Sequence, residues 1–84
     1  MNHLRFNIMN RINPAKLHLS KWTLLNKDEH ARKHKERHWI VTALERDADN
    51  KIIGCTLEAV LTKREWSLNW RDLKNAEAWR MGWH

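Results

Sequence analysis

The chain has 84 residues, with 16 Lys+Arg against 10 Asp+Glu for a formal net charge of +6, and it carries six Trp and no Tyr. That length allows one domain around one core. Its one cysteine, Cys55, excludes an internal disulfide and a cysteine-based zinc site, and no apolar run reaches the roughly eighteen residues of a membrane span.

Met1 to Ile12 carry scattered charges and no continuous apolar stretch, so they do not read as a secretory signal. A reducing, bacterial-type cytoplasm is the expected compartment. The basic balance favours polyanionic or acidic partners, although it also occurs on small proteins with no nucleic-acid role. Residues 1–13 are weakly patterned and predict a flexible N-terminal extension ahead of a single domain over 14–84. Asn13-Pro14 is a turn signal. The apolar stretch that follows predicts a first strand over Leu19–Leu25.

Lys27 to His38 is the polar block KDEHARKHKERH. It holds no large apolar residue and cannot form a core element. An isolated helix of that length is marginal in water, so a basic loop over 26–38 is expected. Trp39 to Arg46 is rich in β-branched and aromatic residues and predicts a strand. Asp47 to Lys51 predicts a turn, with Asn50 suited to the left-handed conformation. Ile52 to Thr62 predicts the next strand, with Ile53, Cys55, Leu57, Ala59 and Leu61 as its core face. Gly54 would allow a bend. After the Lys63-Arg64 turn, Glu65 to Trp70 alternates, with Trp66, Leu68 and Trp70 on one face. Asn75 suits an N-cap, a helix is predicted over Ala76–Met81, and Gly82 ends it.

These elements predict an α+β, mainly β fold. Its core is a small curved four-stranded antiparallel sheet or an SH3-like or Sm-like barrel, with a short C-terminal helix. An open sheet with the helix on one face is the alternative.

Four stretches carry a family likeness: NPAKLHLSKWT (13–23), HWIVTALERD (38–47), LEAVLTKREWSLNW (57–70), and LK followed by W and GW (73–83). On these the chain, from about Asn10 to Trp83, resembles a family of small tryptophan-rich bacterial proteins of unknown function. Members of that family have a shorter link between the first two strands, so the basic block Lys27–Arg37 is not expected to carry the shared function. The resemblance implies no activity and no catalytic set.

Several tryptophans sit beside cations: Lys21-Trp22, Lys63-Arg64 near Trp66, Trp70-Arg71 and Trp79-Arg80. Single-stranded nucleic-acid binding uses this mixture, with cations along phosphates and aromatic faces under bases. A strand also produces it automatically, with tryptophans inward and cations outward. His30, His34 and His38 would form one stripe on a helix and could share a metal, but a solvated basic stretch explains them as well and no second shell is visible. Glu58 lies on the less apolar strand face, where Arg64 or Lys21 would pair with it. Cys55 reads as a core thiol. No nucleophile elbow or phosphate-cradling glycine loop is present.

The expected function is therefore a non-enzymatic binding module without cofactor or metal. Its expected partner is RNA or single-stranded nucleic acid, held by Lys21, Trp22, Trp39, Lys63, Arg64, Arg71 and Arg80. A protein-interaction adaptor or a homodimer built on exposed tryptophans is the alternative. No membrane partner is expected.

Overall fold

The computed structural model describes residues 9–25 and 36–84. Among these, five strands form one antiparallel sheet: β1 (Lys21–Leu24), β2 (His38–Arg46), β3 (Ile52–Ala59), β4 (Glu65–Leu68) and β5 (Trp79–Met81). Their order is β4-β3-β2-β1-β5. Strands β1 to β4 run as a meander. The chain then crosses from one edge to the other through a 3-10 turn, Trp70–Lys74, and adds β5 beside β1.

The architecture departs from expectation at its C-terminus. Asn75 does cap a turn, accepting from the Glu77 N–H at 3.0 Å. Only one turn follows, however, because Trp79–Met81 pairs with Trp22–Leu24 instead of continuing a helix. A six-residue helix is weakly favoured alone, whereas β5 pairs an otherwise open edge of β1 and buries Trp79. Likewise the predicted strand over 65–70 stops at Leu68. Asn69 then accepts from the Arg71 N–H at 3.0 Å, and Trp70 starts the crossover turn. The first strand begins at Lys21, after Leu19 takes a left-handed φ of 67°.

Register divides the sheet into two faces, since residues directly opposite share a face. Trp22, Leu24, Trp39, Val41, Cys55, Leu57, Ala59 and Trp79 form the buried face. Leu17, Trp70 and Leu73 complete the core. Two irregularities shape the strands. Val41 and Ala43 pair with consecutive residues Leu57 and Thr56, so Thr42 is extra on β2; Glu45 and Arg46 pair with Gly54 and Ile52, so Ile53 is extra on β3. Such bulges bend a strand and raise its twist. The second also corrects the predicted core face of β3. Ile53 is thrown outward at 48% exposure, and Leu61, past the strand end, is 79% exposed. Cys55, Leu57 and Ala59 keep the core side.

The sheet is curled but open. A flat five-stranded sheet would set its edges roughly 19 Å apart, four strand spacings. Yet Trp66 on β4 and Trp79 on β5 have ring centroids 5.5 Å apart, and Trp39 on the central strand meets both, at 5.6 and 6.4 Å. The indoles thus bridge the gap between the edges while no backbone pairing joins β4 to β5, so this is not a closed barrel.

The N-terminal segment is fastened from Met9 onward, which bridges to Asn75. The Asn10 amide donates to the Leu73 and Trp79 carbonyls at 2.8 and 3.0 Å. Of the extension expected over 1–13, residues 1–8 lie outside the described residues; so do 26–35 of the expected basic loop.

Cys55 is fully buried. Burial, and next the negative charges of Asp72 and Glu45, push its thiol from 9.0 up to about 11. The folded protein therefore holds this proton more tightly than the unfolded chain. The associated stability is fully present below pH 9 and falls as pH rises toward 11. At pH 8 the folded thiolate fraction is about 100-fold below that of the unfolded chain. Iodoacetamide alkylation, followed by mass spectrometry, is expected to be slower by at least that factor in buffer than in denaturant. Equal rates would contradict this placement.

Candidate nucleic-acid interface

The opposite face of the sheet is polar. It presents Lys21 and Thr23 from β1, His38 and Ile40 from β2, Thr56 and Glu58 from β3, Glu65 and Ser67 from β4, and Arg80 from β5. Charge is segregated across it. Glu58 and Glu65 face each other in register on β3 and β4, while Lys21 and Arg80 lie on β1 and β5. The expected pairing of Glu58 with Arg64 or Lys21 does not form among the described residues; the register sets Glu58 opposite Glu65 instead.

The C-terminus folds back over the basic half. Gly82 adopts φ 85°, a left-handed conformation that glycine tolerates without strain. Its N–H donates to the Lys21 carbonyl at 2.7 Å. The Thr23 hydroxyl donates to the Gly82 carbonyl at 2.7 Å and accepts from the His84 N–H at 2.9 Å. His38 Nε2 donates to the His84 carbonyl at 2.8 Å. Trp83 Nε1 donates to the Trp39 carbonyl at 2.9 Å. The indole N–H is thus satisfied while the residue stays 42% exposed. Lys21 Nζ sits 4.7 Å from the Trp83 ring centroid, a cation–π distance. The His38 ring lies 6.2 Å from the same indole.

The predicted site residues separate into four places. Lys21 and Arg80 come together on the polar face. Trp22 and Trp39 are fully buried, which removes their rings from any binding surface; both lie on the core face, where the strand period directs their side chains inward. Lys63 and Arg64 lie on the β3–β4 turn, Lys63 with φ 66°. Arg64 Nε is 3.8 Å from Glu36 Oε1, and the Glu36 carboxylate also accepts from the Thr62 hydroxyl. Glu36 is buried, an outcome its polar surroundings in sequence conceal, and its carbonyl accepts from Trp39 Nε1 at 2.9 Å. Arg71 belongs to a different site. It lines a groove of about 580 Å³ with Trp66, Asp72, Asn75 and Trp79, its guanidinium 5.4 Å from the Trp70 ring.

Trp83 is absent from the residues expected to form the site, because a helix over Ala76–Met81 ended by Gly82 gave it no place on this face. The available signal was the glycine before it, which permits reversal of the chain as readily as it ends a helix. Of the histidine stripe, His30 and His34 lie outside the described residues. Among the described residues no group of three His, Cys, Asp or Glu side chains could hold a metal ion. Nor is any described helix long and apolar enough to cross a membrane.

The family described as "Tryptophan-rich protein (DUF2389)" matches residues 20–84. No curated protein and no solved structure matches the chain.

Proposed function

The chain belongs to this tryptophan-rich family, and from that premise we propose that it is a small non-enzymatic module that binds RNA or single-stranded nucleic acid. The observation that carries the reading is the half-exposed Trp83 indole with Lys21 against its ring, on the same sheet face as Arg80. Phosphates follow Lys21 and Arg80, and a base stacks on Trp83. The acidic pair Glu58 and Glu65 repels the strand from the other half of the face, which sets its path along β1 and β5. Phosphate contacts from two cations, together with the net charge of +6, make the interaction salt-dependent. The reading is non-enzymatic because the acids of this face lie on an open sheet and not in an enclosed pocket.

Octameric oligouridylate is expected to quench tryptophan fluorescence at low salt. Its log K should fall with log salt at a slope of about −1.4 for two phosphate contacts on a single strand. Absence of quenching by RNA and single-stranded DNA at low salt would overturn the reading.

A protein adaptor or homodimer is the second reading. It rests on the outer edges of β4 and β5, which pair with no further strand among the described residues and are competent to add one from a partner. A sedimentation mass that rises with concentration would favour it.

A further inference from the structure

We propose that the β3–β4 turn is a contact tip for an anionic membrane surface, with Leu61 entering the headgroup layer. This surface does not depend on the nucleic-acid reading. It starts from three apolar residues that the core leaves out: Val60 at 37% and Leu61 at 79% exposure, and the half-exposed Trp83. Exposed apolar residues scattered singly need no explanation, but neighbouring ones do. The Val60 N–H donates to the His38 carbonyl at 2.9 Å, one step beyond the Trp39–Ala59 pair, so Val60 and His38 share the polar face. The His38 ring lies 6.2 Å from the Trp83 indole. Val60, His38 and Trp83 therefore form a row across one end of the sheet, and Leu61 follows at the tip of the turn.

The turn holds its apolar residue outward. The Ala59 N–H donates to the Arg64 carbonyl at 2.9 Å, and the Lys63 N–H to the Ala59 carbonyl at 2.8 Å. Lys63 takes a left-handed φ of 66°, uncommon for a residue with a side chain. The residues on either side of Lys63 reach the buried Glu36 carboxylate: the Thr62 hydroxyl donates to it, and Arg64 Nε lies 3.8 Å from it. Leu61 thus sits between two fixed points, Val60 bound to β2 and Thr62 bound to Glu36. Turning it toward the core would break one of them, and loss of the Thr62 bond would leave a buried carboxylate with one partner fewer, which is costly.

Charge identifies what covers the tip. Lys63 and Arg64 belong to the same turn and are exposed. Lys21 Nζ stands 4.7 Å from the Trp83 ring centroid, and the chain as a whole carries +6. An apolar tip flanked by cations and an indole matches the layering of an anionic bilayer, with its acyl boundary, its phosphates and the interfacial zone that tryptophan favours. Leu61 protrudes at a turn, whereas a partner peptide needs a groove or a strand edge. Glu58 and Glu65 oppose each other on the strands behind the tip. They keep that half of the flat face off an anionic surface, so contact is made through the end of the sheet. The expectation of no membrane partner rested on the absence of a span, which a surface contact does not require.

The test is flotation of the intact protein with vesicles of equal parts phosphatidylcholine and phosphatidylserine at low salt. Wild type is expected to float with them and not with vesicles of phosphatidylcholine alone. Leu61→Ser changes an exposed side chain, so its circular dichroism should match wild type while vesicle binding weakens about tenfold. Lys63→Gln should weaken binding about fivefold. Failure of wild type to float with the mixed vesicles would overturn the proposal. Unchanged binding by Leu61→Ser would also overturn it, because attraction of a chain of charge +6 would then suffice. Equal binding to phosphatidylcholine alone would remove the anionic partner. Self-association in sedimentation that Leu61→Ser abolishes, with no vesicle bound, would assign the tip to a second copy instead.

Discussion

Replacement of Trp39 by alanine is expected to destabilise the protein by about 4 kcal/mol, in the range measured for fully buried large aromatics. A domain of this length has a total stability of about 4–13 kcal/mol, so the loss removes from about a third to nearly all of it. The magnitude follows from position. Trp39 is fully buried on the central strand and makes edge-on contacts with Trp66 and Trp79, which come from opposite edges of the sheet. Its removal takes away the ring on which both edges converge, and it leaves the Glu36 carbonyl without the indole N–H it accepts at 2.9 Å. Collapse into the void is limited, because the curl of the sheet is itself set by these rings. Urea unfolding followed by circular dichroism measures the effect. A loss under about 1 kcal/mol would contradict a curled sheet centred on Trp39.

The second large effect concerns affinity and should leave the fold in place. Trp83→Ala is expected to weaken octauridine binding by roughly 5- to 150-fold, the equivalent of one lost base–aromatic stack of about 1–3 kcal/mol. Lys21→Ala should weaken binding and reduce the salt slope by about 0.7, one phosphate contact on a single strand. The two effects should not add, because Lys21 Nζ lies 4.7 Å from the Trp83 centroid and removal of either side chain frees the other. The double variant should lose less than the sum. Trp83→Phe should recover part of the affinity, since a phenyl ring still stacks but lacks the N–H bond to the Trp39 carbonyl. Retention of full affinity by Trp83→Ala, with an unchanged circular dichroism spectrum, would sink the proposed interface.

These two tryptophans show how unevenly the molecule is legible. Trp39 sits in a run of β-branched and aromatic residues, and its strand was readable from local pattern alone. So were the strand from Ile52 and the inward turn of Cys55, Leu57 and Ala59. Trp83 was not readable, because its role depends on β5 pairing with β1 across some sixty residues. The Ala76–Met81 segment has an N-cap and a glycine stop, the local marks of a helix. It forms a turn and a strand because a long-range ladder outweighs a marginal local preference. Glu36 gave no sign of burial, since it sits in the charged and histidine-rich block Lys27–His38. Its place is fixed by Thr62 and Arg64, which the β3–β4 turn brings to it.

By itself the sequence determined the family likeness, which its motif stretches carry, together with the mainly β class and the split between an apolar and a polar face. The class and the split follow from a period of two residues, which is a property of the local backbone. The tertiary structure decided the rest: that the sheet has five strands and stays open, that Trp22, Trp39, Trp70 and Trp79 are core while Trp83 is half-exposed, and that Arg71 parts company with Lys21 and Arg80. Those outcomes depend on bulges, on the crossover to β5 and on side chains that meet from opposite edges of the sheet. Such contacts are distant in the chain and leave no trace in any short stretch of it.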